Sequence, residues 1–172
     1  SPREFDIWMR LLKKVEGSVL WLRGTNQWAK TNLQKEAEQR GIDPSRLVFT
    51  TRLSTQDHLA RHRLADLFLD TFNFNAHSTA SDALWAGLPI ITKIGEQSIA
   101  RVTASMLNAV GLPEMITKTD LSYENLALRL AMNRNFYNSI REKLATNRLK
   151  MPLYNSKKYT QYLERGYRDV FE

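Results

Sequence analysis

Between Asp70 and Asp82 the chain reads Asp-Thr-Phe-Asn-Phe-Asn-Ala-His-Ser-Thr-Ala-Ser-Asp, a polar run that leads into an apolar helical pattern. A helix opening at Ser78 would present unpaired backbone N–H groups and the positive end of its dipole, which is what holding a diphosphate requires without a glycine-rich loop. His77, Ser78 and Thr79 would add side-chain donors there, and Asp82, one turn further in, could reach a ribose hydroxyl. The competing reading is structural: Ser78 or Thr79 caps the helix, and Asp82 is favoured by the dipole. Spacing leaves both open. A second pair, His58 and Arg61, shares a helix face. The imidazole can stack on a base and the guanidinium can contact ribose or phosphate, or the two simply belong to the polar stripe of a surface helix. His62 falls on another face and reads as surface. Gly95 and Glu96 form a turn in which Gly95 supplies the conformation and Glu96 could touch a ligand, while Arg101 is either an anion contact or half of a structural ion pair.

Other chemistries lack their residues. There is no Walker-type lysine motif, no Gly-x-Gly-x-x-Gly and no Ser-His-Asp arrangement. The sequence has no cysteine, and its 3 histidines follow no zinc-ligand spacing, so neither a disulfide nor a bound metal is expected.

The elements that must position these residues follow from periodicity. Phe5 to Val15 has the helical period and stops at Gly17, and Ser18 to Leu22 is a short apolar run expected to be a strand buried on both faces. The pattern repeats: helix Asn26 to Arg40 closed by Gly41, strand Leu47 to Thr50, helix Gln56 to Leu64, strand Leu67 to Asp70. After the loop Thr71 to His77 come a helix from Ser78 to Trp85 stopped by Gly87, a strand Pro89 to Thr92, and a helix Ser98 to Val110 closed by Gly111. From Leu121 onward three helices are expected, Tyr123 to Asn133, Asn135 to Arg148 and Lys157 to Phe171, with Pro152 separating the last two. At least four βα units with short loops imply an α/β fold, a doubly wound parallel sheet of Rossmann-like type, in which ligands bind outside the carboxyl ends of the strands.

Composition sets the class. At 172 residues, 42% hydrophobic and 25% charged, the chain fits a single domain over 1–172. The formal charge of +7 is scattered, with runs at Lys13-Lys14, Arg61 to Arg63 and Lys157-Lys158 that read as solvated faces, so nucleic acid is not expected as a partner. No stretch approaches the roughly 18 apolar residues of a membrane span and no signal core follows the start, so no membrane is expected and the protein reads as cytoplasmic.

The run from Leu67 through Pro89 resembles the C-terminal catalytic lobe of the O-linked N-acetylglucosamine transferases and their bacterial TPR-linked relatives. The carrying residues are Leu69-Asp70-Thr71, then Asn75-x-His77-Ser78-Thr79, then Asp82-x-Leu84-Trp85-Ala86-Gly87-x-Pro89. Ser18-Val19-Leu20-Trp21-Leu22, Gly95-Glu96 followed by Arg101-Val102, and Pro152-Leu153-Tyr154-Asn155 with Tyr159-Thr160 extend the resemblance over essentially the whole chain. It implies a GT-B glycosyltransferase of two Rossmann-like lobes, with this chain as the nucleotide-binding lobe and hence a fragment. His58 would stack on the base, Arg61 would be a nearby basic contact, His77 with Ser78 and Thr79 would grip the diphosphate and stabilise the leaving group, and Asp82 would meet the ribose. The implied reaction is metal-independent, inverting transfer from a UDP-sugar, UDP-GlcNAc in this branch, to a Ser or Thr hydroxyl of an acceptor protein. The implied partners are an N-terminal catalytic lobe and TPR repeats of the same full-length chain. Further phosphate-holding residues of the family lie upstream of the matched region, so the fragment is expected to bind nucleotide weakly and to transfer little sugar. The chain departs from the family at Thr55, where the resembling enzymes carry a lysine that helps define the uridine pocket. The histidine at His77 separates it from the Spindly-type fucosyltransferases. Alternatives are a GDP-sugar lobe, another GT-B enzyme, or a non-catalytic nucleotide-binding module.

Overall fold

The computed structural model describes residues 1–24 and 26–171. In chain order the elements are α1 (Pro2–Lys14), β1 (Leu20–Arg23), α2 (Gln27–Gln39), β2 (Leu47–Thr50), α3 (Thr55–Arg61), β3 (Phe68–Leu69), α4 (Ser78–Ala86), β4 (Ile90–Lys93), α5 (Val102–Ala109), β5 (Ile116–Thr117), α6 (Asp120–Met132), α7 (Arg134–Asn147) and α8 (Ser156–Phe171). The alternation is that of an α/β fold, and all strand pairing is parallel. The expected single sheet is divided, however. β1 pairs with β2, Leu20 opposite Leu47 through Arg23 opposite Thr50, and β3-β4-β5 form a separate ladder.

Burial shows why the two ladders differ. β4 is the apolar run that a strand covered on both faces requires, and Ile90, Ile91 and Thr92 are fully buried. β1 instead alternates half-buried and exposed positions, correcting the expectation of burial on both faces. Leu20 and Leu22 pack on the α1 and α2 side, whereas Trp21 and Arg23 lie on the more open face. The expected helix Gln56 to Leu64 is shorter, because it tightens at His62–Leu64 into a 3-10 turn. That turn swings His62 inward: it is buried, its Nδ1 sits 2.7 Å from the His58 carbonyl oxygen, and its ring meets that of His58 edge to face. His62 is therefore a packed residue and not the surface one its helical position suggests. The helix expected from Ser98 likewise opens as a 3-10 turn, with α5 proper beginning at Val102.

Two apolar clusters hold the molecule. The larger joins the β3-β4-β5 ladder to its helices through Leu84, Ile90, Ile91, Leu107, Met115 and Leu144, and the smaller contains Ala37, Ile42 and Leu47 beneath β1 and β2. α1 feeds both, giving Phe5, Met9 and Leu12 to the smaller and Ile7 and Leu11 to the larger. Each such side chain contributes about 1.5–3 kcal/mol on burial. α1 is also clamped to α6 by Glu124, whose buried carboxylate accepts from Arg10 Nη2 at 2.7 Å and Lys14 Nζ at 3.0 Å. The Arg10 hydrogen bonds hold that carboxyl below the usual carboxylate range. α8, by contrast, buries no side chain and leaves Tyr162, Leu163 and Phe171 exposed.

Candidate functional site

The loop before α4 is built on Asp70. Its carboxylate is fully buried at the end of β3 and accepts from Thr71 N–H at 3.0 Å, Ala76 N–H at 2.7 Å and Thr92 Oγ1 at 2.7 Å. Burial pushes its carboxyl above the usual range, and these hydrogen bonds pull it partly back. The rest of the loop is pinned by Asn75 Nδ2 donating to the Thr71 carbonyl (2.7 Å), Asn75 N–H to Ile99 (3.0 Å) and Thr103 Oγ1 to Ala76 (2.9 Å). A short loop held by these hydrogen bonds therefore delivers His77 to the N-cap of α4.

At that helix start no side chain caps the backbone. Ala80 N–H and Ser81 N–H both turn back to the His77 carbonyl, at 3.0 and 3.1 Å, and no acceptor among the described residues meets the N–H groups of Ser78 and Thr79. Capping by Ser78 or Thr79 is thus not what these residues do here, and two donors stand ready for an anion. The His77 ring stacks on Phe74, with centroids 4.9 Å apart and planes at 16°, and its Nε2 is buried without a partner. A buried polar atom left unpaired in a folded chain wants a ligand or an ordered water.

α3 brings the second pair alongside. Arg61 Nη2 lies 2.6 Å from His58 Nδ1. A guanidinium only donates, so Nδ1 is the acceptor and the ring proton sits on Nε2, which faces the Asp82 carboxylate at 3.9 Å. Burial, then the neighbouring His62 and Arg61, push the His58 pKa below the usual histidine range, against an opposing pull from Asp82. His58 is therefore neutral at pH 7, a flat and partly exposed ring. The other Arg61 nitrogen, Nη1, donates to the Thr51 carbonyl at 3.1 Å. Thr55 is the first residue of α3, and its helix is capped by Ser54, whose Oγ accepts from Asp57 N–H at 3.2 Å.

His58, Arg61 and Thr79 line one cavity of about 650 Å³ that lies between β1 and β3, while His77, Ser78 and Asp82 sit outside its lining. Two further polar residues at the strand ends, Arg23 and Thr50, line the same cavity. Sequence reading missed Arg23; its place at the carboxyl end of a strand was the available signal. Glu96 and Arg101 are not drawn in. Both are exposed and outside that lining; Arg101 Nη1 donates to the Gly95 carbonyl at 3.0 Å, and Arg101 forms no ion pair among the described residues. Gly95 has no positive φ; what requires glycine is space, since a Cβ there would lie 2.7 Å from that of Ala100.

The motif residues that follow keep α4 in place. Ala80, Ala83 and Leu84 are fully buried on its inner face, and Gly87, at φ +87°, ends it in the left-handed conformation. Tyr154 donates to the Ser81 carbonyl at 2.6 Å and meets Trp85 edge-on, so the Pro-Leu-Tyr-Asn segment braces the helix from outside. Among the described residues no three His, Asp or Glu side chains are grouped to hold a metal ion, and no helix is long and apolar enough to cross a membrane.

A parallel α/β lobe whose polar residues collect at the carboxyl ends of its strands, with an uncapped helix start beside them, defines the class: a Rossmann-like α/β lobe. Within that class the chain belongs to glycosyl transferase family 41, whose model matches residues 1–163. It is 35% identical over 164 residues to the UDP-N-acetylglucosamine–peptide N-acetylglucosaminyltransferase of Caenorhabditis elegans, covering 95% of this chain and 14% of that protein. It is 34% identical over 168 residues to an Arabidopsis thaliana protein named as a probable enzyme of the same kind, SEC, covering 97% of this chain and 17% of that one. A solved structure of a mutant O-GlcNAc transferase from Thermobaculum terrenum superposes with a TM-score of 0.92 at 28% identity, covering 98% of this chain and 33% of that one. The chain thus spans under a fifth of these two curated relatives and a third of the solved chain.

Proposed function

We propose that this chain is one lobe, over residues 1–172, of a longer protein O-glycosyltransferase, and that it holds the UDP moiety of a UDP-GlcNAc donor. The observation that carries the reading is the start of α4, where the Ser78 and Thr79 N–H groups lack acceptors and the buried His77 Nε2 beside them lacks a partner. In the reaction the acceptor Ser or Thr oxygen bonds to the anomeric carbon with inversion, the bond from that carbon to the diphosphate oxygen breaks, and the hydroxyl proton leaves to a base. Negative charge grows on the departing diphosphate. Donors fixed in advance at that position each contribute a few kcal/mol in the transition state, about 3 for a well-placed one. His77 and the two N–H groups fill this role without a metal ion. The neutral His58 ring stacks on the base, Arg61 contacts ribose or phosphate, and Asp82 accepts from a ribose hydroxyl.

The acceptor-side groups belong to an N-terminal catalytic lobe, with TPR repeats preceding it in the same cytoplasmic protein. Accordingly the 172-residue chain by itself binds nucleotide weakly and transfers little or no sugar. Titration with UDP followed by two-dimensional NMR is the test, with His77→Ala and His58→Ala alongside wild type. Shifts gathered at His58, Ser78, Thr79 and Asp82 and weakened by both substitutions are expected. Equal response to GDP or ADP would overturn the uridine assignment, and shifts scattered away from α3 and α4 would overturn the site.

A further inference from the structure

Arg23 ends β1 and sits directly opposite Thr50, the last residue of β2. Side chains alternate across a strand, and Leu20 and Leu22 pack into the smaller cluster, so Trp21 and Arg23 project from the other face of the ladder, the face shared with His58 and Arg61. The step from Arg23 to that pair is short. Thr51, next to Thr50, accepts from Arg61 Nη1 at 3.1 Å, and Arg61 Nη2 lies 2.6 Å from His58 Nδ1. Burial, His62 and Arg61 lower the pKa of the His58 ring in that order, Asp82 opposes them, and the positive charge of Arg23 adds to the lowering. The two arginines differ in their engagement. Arg61 turns both terminal nitrogens onto Thr51 and His58, whereas Arg23 is exposed and keeps its fork of donors, with no side-chain hydrogen bond or ion pair among the described residues.

The histidine sets the orientation of what lies on it. His58 Nε2 faces the Asp82 carboxylate at 3.9 Å, and Nδ1 faces Arg61. With the ribose at Asp82, a pyrimidine laid on the His58 ring has its sugar-bearing edge on the Nε2 side. Its far edge, which carries the C4 substituent, then lies on the Nδ1 side, toward Arg61 and the ends of β1 and β2. We infer that Arg23 is a base-reading residue of this site: its guanidinium donates to the C4 carbonyl oxygen of the uracil ring stacked on His58. The inference rests on the donor reading proposed above and extends it to the base edge. A guanidinium donates and never accepts, so it favours the carbonyl of uracil over the amino group that cytosine carries at the same carbon, itself a donor. The contact is remote from the bond that breaks and is the same before and during transfer. It therefore contributes to donor affinity and to the choice of base, and not to the chemical step.

Calorimetric titration of the full-length protein with UDP and with CDP, for wild type, Arg23→Leu and Arg23→Lys, tests this. Wild type is expected to bind UDP about tenfold more tightly than CDP, the scale of one charge-assisted hydrogen bond. Arg23→Leu should lose that preference through UDP, with CDP affinity held within about threefold because the remaining effect of the charge on the diphosphate is screened. Arg23→Lys keeps the charge without the planar fork and should regain only part of the preference. In transfer assays with UDP-GlcNAc, Arg23→Leu should raise KM and leave kcat unchanged, a split that a general loss of structure would not give. Equal affinity of wild type for UDP and CDP overturns the base contact while leaving the diphosphate site standing. An equal loss of both nucleotides in Arg23→Leu overturns it by placing the guanidinium on ribose or phosphate, and unchanged UDP affinity in that variant overturns it by placing the side chain outside the site. Failure of wild type to bind either nucleotide removes the donor reading itself, and this inference with it.

Discussion

His58 owes its neutral state to burial first and to His62 and Arg61 next, and this has a definite sign in pH. Its folded pKa is depressed, so below the ordinary histidine range the unfolded chain takes up a proton that the folded chain refuses. Stability attributable to this residue is therefore intact at pH 7 and is lost as pH falls from the ordinary histidine value through the depressed one. His58→Phe keeps a flat ring and should flatten that segment of a plot of urea midpoint against pH. An unchanged slope would show that the ring titrates freely. Helix-start and helix-face arguments point to His58, Arg61, His77, Ser78, Thr79 and Asp82, and of these α3 and α4 bring His58, Arg61 and Asp82 together. The inward turn of His62 was not legible, because periodicity assumes that the α-helix continues where the backbone in fact tightens.

At the level of elements, the loop into α4 depends on one carboxylate. Asp70→Ala would strand two partly buried N–H groups and a buried threonine hydroxyl, at up to about 1–3 kcal/mol for each unsatisfied group. Asp70→Asn keeps an acceptor for the two N–H groups, and Thr92 can turn its hydroxyl to accept. We therefore expect Ala to lower the thermal midpoint by several degrees and to weaken UDP binding, and Asn to restore most of both; equal loss in the two variants would mean that the charge itself matters. Strands whose apolar runs are bounded by turn residues, such as Leu47 to Thr50, could be placed from sequence to the residue. β5 could not. Ile116–Thr117 is two residues long, shows no period, and is defined by pairing with Thr92 and Lys93 far away in the chain. The division of the sheet was invisible for the same reason, since it lies in which edges pair and not in which residues are extended.

Over the whole molecule, two apolar clusters of unequal size share α1. The consequence concerns cooperativity. The β1-β2 half closes on few buried side chains and touches the larger half chiefly through that helix, so it is expected to behave as a separate foldon of lower local stability. Unfolding of this chain should then depart from a single all-or-none step. Of the four tryptophans, Trp21 and Trp28 belong to the smaller half, Trp8 packs against both clusters, and Trp85 reports on the larger. Tryptophan fluorescence is expected to change at a lower denaturant concentration than far-ultraviolet circular dichroism, with Leu47→Ala advancing the first transition and Leu107→Ala the second. Coincident curves for both probes and both variants would make the chain one cooperative unit, with α1 acting as a rigid weld between its halves and not as a hinge of stability.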